Sequence, residues 1–200
     1  MIVFDPPATR RLLLALVGAA ALTAACATPS TLPSAPSEPA ATPSPAPAPA
    51  TTAIATDRAL FSLVTDTQPF SAYPLFPNLN AGSDGILTAS SAHQPLIRVR
   101  LNAMAAAALQ NGRLPSGAEF PDGSVIFKEV LSNSRQADVF AVMYKDRSNA
   151  NAGNGWLWAE YRPGGDVVFS ITNRGNACTA CHSLDRGPAN DFVRIFERQL

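Results

Sequence analysis

SVIFKEVL (124–131), VFAVMYK (139–145), WLWAEY (156–161) and VVFSIT (167–172) are four short runs rich in Val, Ile, Phe, Trp and Tyr, set close together in one stretch of the chain. Such side chains suit a pleated, half-buried surface. Between the runs stand Ser132-Asn133, Asn154-Gly155 and Pro163-Gly164-Gly165, each a turn signal. Short runs joined by tight turns predict an antiparallel meander from Ser124–Leu131 to Val167–Thr172. Upstream, Leu96–Gln110 reads as a helix preceded by a short extended piece, because Ala103–Leu109 is almost wholly good helix formers; Gly112, Pro115 and Gly117 end it. Downstream, Asp191–Gln199 reads as a closing amphipathic helix. The expected fold is α+β: a mainly antiparallel sheet of four to five strands flanked by helices.

After the last run comes Cys178-Thr179-Ala180-Cys181-His182, a CxxCH sequence. Two thiols three residues apart lie on one side of a helical turn and can add to the two vinyl groups of a haem. His182 is then placed to bind the iron. This predicts one covalent haem c per chain, held by Cys178 and Cys181, with His182 as axial ligand. A chance CxxCH or half of a zinc site is the alternative. Zinc calls for about four Cys or His ligands, and outside the motif the chain offers only His93 and Cys26. A redox CxxC belongs at the end of a strand in a βαβ unit, and no such pattern surrounds this one.

Covalent haem attachment requires export, and the N-terminus reads accordingly. Arg10-Arg11 precede an apolar run, Leu12–Ala25, broken only by Gly18 and Thr23. The run is shorter than the ~20 apolar residues of a membrane-spanning helix, so residues 1–25 read as a signal peptide. The general secretory route suits a chain that receives its haem unfolded. Leu22-Thr23-Ala24-Ala25-Cys26 resembles a bacterial lipobox, although Thr23 stands where Leu is usual. Cys26 is the odd one of three cysteines, and lipidation would account for it; simple cleavage near Ala25 is the alternative. Residues 26–55 are almost wholly Ala, Pro, Ser and Thr, too poor in apolar surface to fold, and read as a tether of ~3 Å per residue. Residues 56–200 then form one domain. Removing Arg10, Arg11 and Asp5 from 15 basic and 15 acidic residues leaves 13 against 14. That balance argues against nucleic acid or an acidic membrane surface as partner. The expected location is the periplasm, with membrane contact only through a lipid on Cys26.

Phe120-Pro121-Asp122-Gly123-Ser124-Val125-Ile126-Phe127-Lys128-Glu129, Gly155-Trp156-Leu157-Trp158, the CxxCH and Asp191-Phe192-Val193 together resemble the cytochrome P-460 family, which includes the beta-type cytochromes c′. The resemblance covers about Arg98–Leu200. It implies a mainly antiparallel sheet flanked by helices, and a five-coordinate iron whose face opposite His182 is open to small ligands. It also implies a lysine bonded to the haem macrocycle, here Lys128. On a strand Lys128 shares a face with Ile126 and Val130, where desolvation favours a neutral, nucleophilic amine. The strand pattern alone fits equally an edge lysine with its stem on apolar surface and its head in water. Hydroxylamine-oxidising members are thought to need a carboxylate near the open face. By alignment it falls on Val139–Lys145, which has none; Glu129 and Glu160 are the nearest strand-borne acids. Arg98 and Arg100 align near the family's distal basic position.

Among the remaining candidates, His93 lies in a polar segment and reads as a solvated histidine, with a sixth iron ligand as the alternative. Met104 reads as core, Met143 as core with a haem ligand as the alternative, and Trp156 and Trp158 as core or pocket wall. Three functions stay open. One is an oxidoreductase acting on hydroxylamine or nitric oxide. Another is a cytochrome that binds nitric oxide or a similar gas without turnover, and the third is a periplasmic electron carrier. The expected partners are that small ligand and a redox protein, with a homodimer left open.

Overall fold

In the computed structural model the described residues are 54–76, 84–89, 92–184 and 187–194. The signal segment, Cys26, nearly all of the 26–55 spacer and residues 195–199 of the expected closing helix lie outside them. Ile54, at the spacer's far end, is buried, and its carbonyl accepts a hydrogen bond from Asn149 Nδ2 (2.8 Å).

Six strands form one antiparallel sheet: β1 (Ile86–Thr88), β2 (Leu96–Leu101), β3 (Val125–Leu131), β4 (Ala137–Lys145), β5 (Trp156–Tyr161) and β6 (Val167–Phe169). Their order in the sheet is their order in the chain, so the expected meander is present and extends by two strands at its N-terminal side. The last expected strand stops at Phe169, and Ile171–Asn173 turn instead into a short 3₁₀ segment.

Residues 96–101 are strand, the extended piece expected ahead of the helix. Ile97, Val99 and Leu101 are buried and alternate with the half-buried Arg98 and Arg100, a period of two that a helix cannot place on one face. The helix starts only at α2 (Ala103–Ala107). Asn102 caps it by accepting from the Ala105 N–H (3.0 Å), and the same oxygen accepts from the Val125 N–H (3.0 Å). One buried side chain thus joins the cap of α2 to the first residue of β3. Two elements not foreseen cover the second face: α1 (Asp57–Ser62), capped by Thr56, and a π-helical turn over Leu63–Thr67. Asp57 binds the Ile171 N–H (2.8 Å) and the Ser170 hydroxyl (2.7 Å).

The sheet therefore divides two apolar clusters. Phe127, Phe140, Val142, Leu157 and Tyr161 meet α1 on one side. Ile97, Val99, Leu101, Ile126, Met143, Trp156 and Trp158 line the other, with Phe120 and Val193. Asp191–Val193 is not helical: Asp191 (φ 50°) and Phe192 (φ 64°) are left-handed. Such a pair interrupts the right-handed helical repeat.

Candidate functional site

The register of the hairpins writes a row straight across the sheet. Val99 faces Lys128, Lys128 faces Ala141, Ala141 faces Glu160, and Glu160 faces Phe169. One row along stand Leu101, Ile126, Met143 and Trp158. All of these but Leu101 line a cavity of about 650 Å³, within the range of small-molecule and cofactor sites. Lys128 and Glu160 are two strands apart, about 10 Å at the usual strand spacing, and the small Ala141 leaves the space between them open.

His93 fills that gap. Its Nδ1 lies 3.1 Å from Lys128 Nζ and its Nε2 lies 3.0 Å from Glu160 Oε1. An ammonium has only hydrogens to give, so Nδ1 accepts and the Nε2–H donates to the carboxylate. The hydrogen bond from His93 holds the Glu160 carboxyl below its ordinary range against the opposing effect of burial, with further help from the charge of Lys128. His93 is thus not a surface histidine but the centre of a three-residue chain on the cavity wall. Of the two strand-borne acids, Glu160 on β5 is the one that lines the cavity. Glu129 points to the other face, where it pairs with Arg98 and Arg100 (3.3 and 3.4 Å); neither arginine lines the cavity. Their alternation with Val99 puts them there.

The opposite wall is α3 (Asn176–His182), entered through the left-handed Gly175. A Cβ on Gly175 would overlap the Trp158 indole, so the glycine lets the helix settle directly on the sheet. Cys178, Cys181 and His182 all line the cavity, and the two cysteines are unbridged. Cys178 packs against the apolar cluster, and burial pushes its thiol up to about 11, whereas Cys181 is exposed. His182 Nδ1 lies 2.7 Å from the Phe192 carbonyl. A carbonyl can only accept, so Nδ1 carries the hydrogen and Nε2 keeps its lone pair. Burial pulls the imidazole down to about 4, leaving it neutral near pH 7. The edge of Trp158 braces the ring at 4.8 Å.

Two residues that drew little notice in the sequence complete the wall behind His182. Lys145, only 1% exposed, pairs with Asp191 (2.7 Å) and lies 5.0 Å from the Trp156 ring centre. Trp156 is core and Trp158 cavity wall, and Met143 is buried core at the floor, all as expected. Met104 is instead 45% exposed, lying over Gly123 at the edge of α2.

Among the described residues no group of three His, Cys, Asp or Glu side chains is arranged to hold a bare metal ion. The donors do suit a flat macrocycle carrying its own metal: a deep apolar cavity, two thiols on one helical wall and a neutral imidazole with a free nitrogen. Fold and site together define a c-type cytochrome domain built on an antiparallel sheet. The chain belongs to the cytochrome P460 family, whose model matches residues 86–194, more than half of the 200 residues. Members of that family bind haem. No curated protein matches the chain.

Proposed function

We propose that this is an exported mono-haem c protein that binds hydroxylamine or a related small nitrogen oxide at an open iron face and oxidises it. Residues 1–25 direct export, Cys26 carries the lipid that anchors the chain in the periplasm, and the Pro-rich spacer holds the domain off the membrane. Cys178 and Cys181 would hold a haem as thioethers, each thiol adding S–H across one vinyl group so that one C–S and one C–H bond form. His182 Nε2 would be the donor to its iron, and the Nδ1–H bond to Phe192 would strengthen that donor by giving the ring imidazolate character. The bound haem supplies an electron-accepting iron with a position open to the ligand.

The observation that carries an oxidative reading is the Lys128–His93–Glu160 chain. Oxidation of an N–H or O–H group releases protons, and a carboxylate held ionised beside the ligand can take one at Oε. His93 Nε2–H steadies that carboxylate, and Lys128 fixes the tautomer from the other side. Lys128 is also the residue proposed to bond the macrocycle edge. Ala141 keeps the space above the row clear, and Met143 and Trp158 keep it dry.

The ferrous spectrum of the purified protein, followed by steady-state hydroxylamine turnover, tests the proposal. A high-spin five-coordinate spectrum with turnover that falls at least tenfold in Glu160→Gln is expected. A low-spin spectrum would point to His93 or Met143 as a second axial ligand and to an electron carrier. Tight nitric oxide binding without turnover would leave a gas-binding cytochrome.

A further inference from the structure

The His182 imidazole depends on a backbone carbonyl, and that carbonyl is delivered by a turn that local sequence does not favour. Asp191 and Phe192 are consecutive left-handed residues (φ 50° and 64°), a conformation that a Cβ opposes. It persists only where the surroundings over-determine it, and here they do. The Asp191 carboxylate accepts from the Phe120 N–H (2.8 Å), from Lys145 Nζ (2.7 Å) and from Trp156 Nε1 (3.2 Å). Trp156 Nε1 also donates to the Asp191 carbonyl (2.9 Å). From the other side the Phe192 N–H donates to the Gly187 carbonyl (2.6 Å). Gly187 sits so close beneath the His182 carbonyl that no Cβ fits there. These bonds come from the loop before β3 and from the adjoining ends of β4 and β5, so the turn is pinned to the sheet.

We propose that Asp191, clamped by Lys145 and Trp156, is the positioning residue for the axial ligand: it fixes the turn that presents the Phe192 carbonyl to His182 Nδ1 and so sets the donor strength of Nε2. The proposal rests on the reading of His182 as iron ligand. Asp191 touches neither iron nor substrate; it acts through one peptide unit. Its role at the site would then be electronic as well as structural. Without the Phe192 carbonyl as acceptor the imidazole loses imidazolate character, donates less to the metal and stabilises the ferric state less.

The test compares two double variants of the haem-loaded protein, each removing the buried charge pair together so that neither partner is stranded. Asp191→Ala with Lys145→Met removes the clamp. Asp191→Asn with Lys145→Met keeps an oxygen for the Phe120 N–H while Trp156 Nε1 retains the backbone carbonyl of residue 191, and Asn tolerates the left-handed region. The readouts are the ferrous iron–histidine stretching frequency by resonance Raman and the reduction potential, with thermal stability alongside. The alanine pair is expected to lower the stretch and raise the potential, and the asparagine pair to restore both toward the parent. An alanine pair that is less stable but unchanged in stretch and potential overturns the proposal. So does an asparagine pair shifted as far as the alanine pair, because the effect would then follow the ion pair and not the turn. If the alanine pair gives no haem protein, Trp156→Phe decides: a smaller shift of the same sign supports the clamp, and an unmoved stretch refutes it. A parent with no iron–histidine mode removes the His182 reading itself, and the positioning role with it.

Discussion

Gly175→Ala sets the placement of the haem-binding helix against a measurable cost. Gly175 has φ 68°, and an added Cβ would lie 2.6 Å from Trp158 Nε1 and 2.7 Å from Cγ. The left-handed backbone alone costs a residue with a Cβ about 1–2 kcal/mol. Forcing a methyl group into packed surroundings adds about 1–3 kcal/mol. The total, roughly 2–5 kcal/mol, is less than the ~5–15 kcal/mol of an ordinary domain, so the variant folds and can be measured. Gly117 supplies the control, because it has φ 76° with nothing within 4 Å of the added carbon. Gly117→Ala should show the backbone cost alone. Urea unfolding of both variants, followed by tryptophan fluorescence, should therefore differ by roughly the 1–3 kcal/mol of overlap. The Gly175 variant should also show a shifted ferrous spectrum, since the methyl pushes α3 and His182 off the Trp158 face. Equal destabilisation of the two variants, with the spectrum unmoved, would refute the idea that α3 rests directly on that indole.

Changing Cys178 and Cys181 to Ala should let acidic acetone extract the haem that the parent retains; extraction from the parent would rule out thioether attachment. Lys128→Ala should keep the haem and, if the amine is bonded to the macrocycle, move a red-shifted ferrous maximum back to that of an ordinary c-type haem, with intact mass reporting the lost bond. Glu160 lies below its ordinary 4.5 chiefly through His93, so its ionised form contributes stability that is present above that pH and lost as pH falls through the folded value. His93→Ala removes the main cause and leaves burial opposing the charge, so the acid limbs of turnover and of unfolding free energy should both move to higher pH; unmoved limbs would detach His93 from Glu160. A palmitate analogue should label the parent and not Cys26→Ser, with haem content the same in both.

The hairpins from β3 to β6 were legible because turn residues and β-branched runs are local signals, and the CxxCH helix because its chemistry is written in five adjacent residues. β2 was legible only as a short extended piece because the Ala-rich segment after it carries a strong helix propensity, and a window spanning both averages away the Ile97-Arg98-Val99 alternation. The pairing of Lys128 with Glu160 through Ala141 depends on where two turns set the register, which propensity does not resolve. His93 was read as solvated for a different reason. A polar loop gives no sign of where it folds back, and only contacts with Lys128, 35 residues on, and Glu160, 67 residues on, reveal its place. Asp191 was read as the start of a helix because its bonds to Phe120, Lys145 and Trp156 are invisible to any local pattern.

A sheet whose spatial order repeats its chain order has a consequence for biogenesis. Each strand finds its partner in the segment just made, so the scaffold can zip up from the N-terminal side as the chain emerges, with only short loops to close. The thiols of α3 arrive after the last strand, and the turn that seats His182 arrives later still. The cysteines thus join the folding chain only after the strands are complete, and a truncation between Phe169 and Cys178 would yield a β-scaffold without the residues proposed to hold a haem.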